Sequence, residues 1–162
     1  MKRVSFADMH CSIAQTLEVV GEWWTLLILR DSFLGVRRFD EFVERLGISR
    51  NVLTDRLDTL VEHGILERRI YDVAHNRSEY VLTDRGRDLW PVLTALRQWG
   101  DRHLFAEGAE PIVVRHLGCG HIAAAEMRCA SCGELLDARS VRAERVPSDQ
   151  ADVQLPRTHC AQ

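Results

Sequence analysis

Apolar side chains recur at helical spacing in four successive blocks over the first 64 residues, and a glycine ends or follows each block. We predict helices over 12–20, 22–35, 38–47 and 48–64. Ile13, Leu17 and Val20 share one face of the first helix. The second block is apolar nearly all round, which predicts a buried central helix.

The helix predicted over 48–64 has the clearest limits. Ser49 is a favoured N-cap residue, and Gly64 is a favoured helix terminator. The apolar stripe between them consists of Leu53, Leu57, Leu60 and Val61. Only the short segment "GIS" (47–49) separates this helix from the one before it, so the two helices should form a tightly connected pair.

The apolar spacing changes after Gly64. The segments "ILERRIYD" (65–72) and "SEYVLT" (78–83) are typical of short strands, and the polar residues 73–77 between them predict a hairpin. A long amphipathic helix is predicted over 83–105. Pro91 lies within that range, so it should either kink the helix or mark its true start.

A helix pair followed by a hairpin and a long helix predicts a mainly helical α+β fold of the winged helix-turn-helix class over 8–105. In this class the second helix of the pair can lie in the major groove of DNA. The hairpin is the wing, whose tip can reach the flanking backbone or the minor groove. The predicted partner is therefore double-stranded DNA.

The predicted groove helix carries its polar residues opposite the leucine stripe. Its outer face begins with Arg50, Asn51, Thr54 and Asp55. Arginine and asparagine can form paired hydrogen bonds with base edges, and threonine can contact a thymine methyl. The free N–H groups that follow Ser49 suit a phosphate. Arg56 lies at the edge of the stripe, as either a phosphate contact or half of an internal salt bridge.

Other candidate DNA contacts lie outside that helix. Arg77, with His75 and Asn76, occupies the tip of the wing. Arg37 and Arg38 precede the third helix and are candidate phosphate anchors. The complete predicted set is Arg37, Arg38, Ser49, Arg50, Asn51, Thr54, Arg56, His75 and Arg77.

The 162-residue chain is 46% hydrophobic and 28% charged, which is ordinary for a globular protein. Its net charge of −3 means that any DNA-binding surface must be a local basic patch. No apolar run approaches the roughly 20 residues that span a membrane, and the N-terminus lacks the apolar segment of a secretory signal. We therefore expect a cytoplasmic protein without a membrane partner, in which clustered cysteines favour metal binding or redox sensing.

The phrases "GISRNVLTDRL", "EHGIL", "EYVLTDRGR" and "WGDRH" occur in this order, and over residues 10–104 the chain resembles the HxlR family of bacterial winged helix-turn-helix regulators, which are related to MarR-type regulators. The resemblance implies a homodimer that binds pseudo-palindromic operators and represses or activates nearby genes. It also implies a redox-sensing role for Cys11, for which the alternative is a small, partly buried residue at a helix start. We expect the signal to be a small-molecule effector or a redox change.

The last predicted helix independently favours a dimer. Its large apolar residues, including Trp90 and Trp99, exceed what one small winged domain can cover. A symmetric partner would bury them and would space two groove helices by one turn of DNA, roughly 34 Å.

The rest of the chain divides into a linker at 106–111, a small β module at 112–146 and a mobile tail at 147–162. Short strands are predicted in "IVVRHL" (112–117) and "IAAAEMRC" (122–129). One pattern (a ligand, two residues, Cys and Gly) occurs both in "HLGCG" (116–120) and in "CASCG" (129–133). Two such turns resemble a zinc ribbon.

We therefore predict a structural Zn²⁺ bound by His116, Cys119, Cys129 and Cys132. His121 is an alternative fourth ligand. The alternatives to a structural metal are zinc as the signal, a dithiol redox pair formed by Cys129 and Cys132, or free thiols. Cys160 in the tail is expected to be a free thiol.

An enzymatic function is not expected. The sequence shows no βαβ pattern around the CxxC, no phosphate-binding glycine loop and no nucleophile elbow. The carboxylates Asp40, Glu41 and Glu44 fit a solvated helix face better than a catalytic centre.

Overall fold

The computed structural model describes residues 5–75 and 77–144. Asn76 in the predicted wing tip, the end of the predicted β module and the predicted tail with Cys160 lie outside the described residues. The chain divides into two compact units, Met1–Ile112 and Val113–Gln162. No helix in the described ranges combines the length and apolar character needed to cross a bilayer.

The first unit has the predicted order of elements. Its helices and strands are α1 (Ser12–Val20), α2 (Trp23–Phe33), α3 (Phe39–Leu46), α4 (Arg50–Glu62), β1 (Leu66–Asp72), β2 (Arg77–Leu82), α5 (Asp84–Arg87) and α6 (Trp90–Leu104). The helix pair α3–α4 is followed by a two-stranded antiparallel hairpin. The prediction of a mainly helical winged helix-turn-helix fold is confirmed.

The leucine stripe of α4 lies at the centre of the core. The largest fully buried apolar side chains are Ile28, Leu29, Phe42, Leu53, Leu57, Leu60 and Leu66. Burial of each such side chain contributes about 1.5–3 kcal/mol relative to exposure. Because the stripe fixes the rotation of α4 about its axis, the opposite face of this helix must face outward.

A buried carboxylate lies between α2 and α3. The side chain of Asp31 is fully buried, and its two oxygens accept hydrogen bonds from Arg30 Nε at 2.9 Å and Arg45 Nε at 3.3 Å. A buried charge is costly unless it has such partners. Arg30 is the neighbour of Asp31 on α2, so the Arg45 guanidinium is the group that links the carboxylate to α3; both arginine side chains are about half-exposed.

The helix predicted over 83–105 is two helices in the structure. α5 ends at Arg87, and α6 begins at Trp90 with Pro91 in its first turn. Of the two effects predicted for Pro91, it marks a true helix start. Proline lacks the N–H that an interior position would use, and its fixed φ suits the first turn.

Apolar residues of two helices are exposed in the single chain, and the prediction that the second helix is buried nearly all round is wrong. Ile13 and Leu17 are 72% and 43% exposed, so only Val20 of the predicted α1 face is buried. Trp23 on α2 is 90% exposed, so α2 is not buried on all sides. Periodicity shows which residues share a face, but it does not show whether that face meets the same chain or a partner.

The second unit contains no regular strand among its described residues. The strands predicted over 112–117 and 122–129 are reduced to isolated bridges, Arg115 opposite Ile122 and Arg128 opposite Leu135. No described residue from 113 to 144 is buried. Without an apolar face to pack against, longer pairing would gain little stability.

Candidate nucleic-acid interface

The turn between α3 and α4 fixes how the two helices meet. Gly47 ends α3 with a φ of 63°, a left-handed value that glycine adopts without strain. Ile48 is buried and anchors the turn. The Ser49 hydroxyl caps α4 by accepting the Val52 N–H at 3.4 Å. The predicted N-cap is therefore confirmed, and it lies at an exposed helix N-terminus.

The outer face of α4 is open to solvent over its first two turns. Arg50, Asn51, Thr54 and Asp55 are all exposed. The Thr54 hydroxyl donates to the Arg50 carbonyl at 3.0 Å, so its proton is used within the helix and its methyl group remains available for an apolar contact. The structure thus brings together the side chains that the sequence predicted to contact bases.

Arg50 is oriented by two residues of α3. Its Nη1 lies 2.8 Å from Asp40 Oδ1, and its guanidinium carbon lies 4.8 Å from the centroid of the Phe39 ring. An exposed ion pair contributes little to stability. Together with the ring contact, it orients the guanidinium beside the first turn of α3. Asp40 is exposed, as predicted, but its contact with Arg50 could not be predicted from sequence, because residues ten positions apart meet only when α3 and α4 pack.

Arg56 faces the protein rather than the exposed side of α4. Its side chain is 23% exposed, and its Nη1 lies 3.9 Å from Oε1 of Glu22, which precedes α2. Of the two interpretations that the sequence left open, this geometry favours the internal salt bridge.

Arg37 and Arg38 connect the helix pair to the wing. Their backbone N–H groups donate to the Glu41 carboxylate at 3.4 and 3.1 Å. The Arg37 carbonyl accepts the Tyr80 N–H of β2 at 2.8 Å. The Arg38 guanidinium lies 5.1 Å from the centre of the Tyr71 ring on β1. Both exposed arginines are therefore fixed between α3 and the wing.

The tip of the wing carries the predicted His75 and Arg77, both exposed. The His75 backbone N–H and Nδ1 lie 3.1 and 2.9 Å from the two carboxylate oxygens of Asp72. Arg77 begins β2 opposite Asp72. β1 also carries Arg69, which is not among the predicted DNA contacts. The Arg69 side chain donates to Glu67 at 2.9 Å, and this bond lowers the pKa of the Glu67 carboxyl.

Cys11 is the residue that precedes α1. Its side chain is exposed and makes no capping hydrogen bond. The exposure does not support the alternative of a partly buried structural residue.

The predicted zinc ligands form two separate pairs in the second unit. His116 Nδ1 lies 3.3 Å from Cys119 Sγ. Hydrogen bonds from the backbone N–H groups of Cys132 and Ser131 lower the pKa of the Cys129 thiol. Within the ranges that the structure describes, no three candidate ligands are gathered at one position. The structure therefore forms each pair but does not bring the four ligands together.

The geometry of the first unit defines a class of protein. A helix of 13 residues, about 20 Å long at 1.5 Å per residue, presents exposed Arg50, Asn51 and Thr54 on the outside of a helix pair. Exposed arginines also precede α3 and begin the second strand of the wing. The protein is a winged helix-turn-helix transcriptional regulator that binds DNA.

More specifically, the chain belongs to the HxlR-like helix-turn-helix family, whose model matches residues 19–107. An uncharacterized HTH-type transcriptional regulator of Mycobacterium tuberculosis (strain ATCC 25618 / H37Rv) is 46% identical over 140 residues, which cover 86% of this chain and 89% of that protein. One of Synechocystis sp. is 39% identical over 101 residues, which cover 62% of this chain and 75% of that protein. These relatives are regulators, which confirms that the chain is not an enzyme.

Solved structures give the same result. The crystal structure of PA1607, described as a transcription factor, has a TM-score of 0.78 at 36% identity and covers 88% of this chain and 100% of that chain. The reduced form of the redox regulator HypR has a TM-score of 0.54 at 31% identity, covering 58% of this chain and 96% of that chain. The 140-residue match to the mycobacterial relative leaves about 22 residues unmatched (162 − 140), so it must enter the second unit.

Proposed function

We propose that this regulator is a cytoplasmic homodimer that binds a pseudo-palindromic operator, and that a small molecule or a redox change alters this binding. The observation that carries the proposal is the outer face of α4. Its leucines are used in the core, whereas Arg50, Asn51 and Thr54 remain exposed. Arginine and asparagine at these positions can each form bidentate hydrogen bonds with one base.

The flanking cations would hold the protein in register on the duplex. Arg37 and Arg38 are exposed before α3, and Arg77 is exposed at the start of β2. Their partners would be phosphates, which position a protein but carry no sequence information. The N-terminus of α4 at Ser49 offers backbone N–H groups to a further phosphate.

Exposed apolar residues on three helices support the dimer. They include Ile13, Leu17, Trp23, Trp90, Leu96 and Trp99. A monomer rarely leaves so many large apolar side chains in water, and a symmetric partner would cover them. A dimer of this kind would present two copies of α4 to successive major grooves, roughly 34 Å apart.

Replacing Asn51 with alanine is expected to lower operator affinity about 5- to 150-fold, the value of one bidentate base contact. Affinity for random-sequence DNA should change little, because that binding depends on phosphates. The operator is obtained by selecting bound sequences from random DNA, and both affinities are measured by fluorescence anisotropy at one salt concentration. The same titration gives the stoichiometry, expected to be two chains per operator.

Glu62→Ala is the matched control for this prediction, because Glu62 is exposed at the opposite end of the same helix. It should leave the ratio of operator to random affinity unchanged. If Asn51→Ala and Arg50→Ala both leave operator affinity unchanged, α4 is not the recognition helix.

Replacing Arg77 with alanine is expected to weaken operator and random DNA by the same factor. A phosphate contact releases counterions, so the slope of log affinity against log salt concentration should decrease in magnitude by about 1. Titrations at several salt concentrations measure both quantities. A loss confined to the operator would instead assign Arg77 to a base.

Two features support a signal-dependent regulator. Cys11 is exposed at the start of α1, and one structural neighbour is a redox regulator. A cavity of about 260 Å³ in the first unit could admit a small effector; its lining includes Gln15, Thr16, Val20, Ile65, Arg85 and Leu89. Operator binding measured with and without oxidant, in wild type and in Cys11→Ser, tests whether Cys11 carries a redox signal. A response of equal size in both proteins would exclude Cys11 as the sensor.

A further inference from the structure

The second unit contains a structural repeat with an offset of 13 residues (128 − 115). The first copy is "RHLGCGHI" (115–122) and the second is "RCASCGEL" (128–135); we call them knuckle 1 and knuckle 2. The bridge that closes knuckle 1 joins Arg115 to Ile122, and the bridge that closes knuckle 2 joins Arg128 to Leu135. Each bridge occupies the same two positions of its copy.

The hydrogen bonds inside the two knuckles also correspond. In knuckle 1 the Gly120 N–H donates to the His116 carbonyl at 2.7 Å, and the His116 N–H donates to the His121 carbonyl at 2.9 Å. In knuckle 2 the corresponding bonds, Gly133 to Cys129 and Cys129 to Glu134, are both 2.8 Å long. The two turns therefore share one backbone conformation.

A side chain closes each turn in the same way. Arg115 Nη1 donates to the Gly120 carbonyl at 3.2 Å, and Arg128 Nη1 donates to the Gly133 carbonyl at 3.0 Å. The two glycines have φ values of 73° and 77°, in the left-handed region that other residues rarely adopt. The two knuckles therefore differ in the side chains that they carry and not in their backbone conformation.

This correspondence decides between the two candidate histidines. His116 occupies the position of Cys129, and Cys119 occupies the position of Cys132. His121 occupies the position of Glu134, whose backbone carbonyl accepts the N–H that closes the turn. The repeat therefore favours His116 over His121 as the candidate ligand of knuckle 1.

The imidazole of His116 already has room beside Cys119. A Cβ at Gly118 would lie 3.0 Å from His116 Cε1, so glycine at this position makes space for the ring. Knuckle 2 has Ser131 at the equivalent position, opposite the smaller cysteine side chain. The 3.3 Å between His116 Nδ1 and Cys119 Sγ is near the roughly 3.6 Å that separates two ligands of a tetrahedral zinc with bonds of about 2.0–2.1 and 2.3 Å.

The second unit also lacks the apolar core that would otherwise stabilise it. None of its described residues is buried, and Leu117, Ile122 and Met127 are all more than half exposed. A module of this size generally needs a metal, a disulfide or a partner to fold.

We propose that each chain binds one Zn²⁺ through His116 and Cys119 of knuckle 1 and Cys129 and Cys132 of knuckle 2. Each knuckle supplies two of the four ligands that a tetrahedral structural zinc requires. Binding displaces the three thiol protons and draws the two knuckles onto one ion, so that metal binding is coupled to folding of the unit. The zinc has a structural role and does not act as the signal.

The test uses the full-length protein purified without chelator. Metal analysis is expected to give one zinc per chain, retained through dialysis against metal-free buffer. Replacement by Co²⁺ should give the visible and near-ultraviolet absorption of a tetrahedral site with three thiolates and one imidazole. No zinc, half a zinc per chain, or zinc lost during dialysis would overturn the proposal.

His116→Ala and His121→Ala form a matched pair of variants. The first should lower zinc affinity by at least 100-fold and change the cobalt spectrum, and the second should leave both unchanged. The opposite result would overturn the assignment of His116. Because metal content is measured without DNA, failure of the proposed operator binding would leave this result unaffected.

Thiol reactivity gives a second measurement on unmodified protein, in case the variants fail to fold. Of the five cysteines, three should react slowly with a thiol reagent until a strong chelator is added. Rapid reaction of all five before chelation, or a disulfide joining the cysteines of knuckle 2 in freshly reduced protein, would contradict zinc ligation.

Discussion

Replacing Gly86 with alanine is expected to lower the free energy of unfolding by about 3 kcal/mol, at the upper end of the usual cost of overpacking. A Cβ at Gly86 would lie 2.2 Å from the carbonyl oxygen of Ile65 and 3.2 Å from its carbonyl carbon. Backbone atoms cannot rotate away as the end of a side chain can. Either α5 or the segment leading into β1 must therefore move.

The contact matters because it joins three elements of the winged fold. The Thr83 hydroxyl donates to the Gly64 carbonyl at 2.6 Å and accepts the Gly86 N–H at 3.1 Å. Gly64 follows α4, and Thr83 follows β2. A shift at Gly86 would thus displace the wing from α4, and we expect operator affinity to fall with stability. Urea unfolding followed by circular dichroism measures the first effect.

Gly100 provides a matched control for the same substitution. It lies inside α6, and no atom lies within 4 Å of a Cβ placed there. Gly100→Ala should stabilise the protein by about 0.5–1 kcal/mol, because alanine loses less conformational entropy in a helix. Equal effects of the two substitutions would show that the close approach at Gly86 does not constrain the fold.

Helix α4 could be predicted from sequence because local rules determine it. Ser49 caps it, and the leucine stripe fixes which side is buried. The prediction of exposed Arg50 and Asn51 follows from that stripe alone, since side chains on a helix repeat every 3.6 residues. The same rules placed the wing, where each strand end lies within one residue of its predicted position.

Contacts between elements could not be predicted in the same way. The pairing of Arg50 with Asp40 and of Arg56 with Glu22 depends on how helices pack, which periodicity does not encode. The exposure of Trp23 could not be predicted either. An apolar pattern on a helix is the same whether the face packs in the core of its own chain or against a partner. In the second unit, the repeated ligand spacing was visible in the sequence, but the strands predicted around it were not formed.

Replacing Asp31 with alanine is expected to destabilise the protein by about 2–3 kcal/mol. Removing one partner of a buried ion pair typically costs 3–5 kcal/mol, and we expect less here because Arg30 and Arg45 are half-exposed and can turn towards water. What is lost is the acceptor that both arginines share and the packing of a fully buried side chain. Thermal and urea unfolding of the purified variant measure the effect.

Asp31→Asn separates charge from volume in this prediction. Asparagine fills the same space, but its amide NH₂ would face one of the two arginine Nε–H donors, so a buried donor would meet a donor. We therefore expect Asn to cost nearly as much as Ala. Asp40→Ala, which removes an aspartate paired with an arginine at a site 82% exposed, should cost less than about 0.5 kcal/mol. If Asp31→Asn is as mild as Asp40→Ala, the buried carboxylate fills space rather than joining α2 to α3 by its charge.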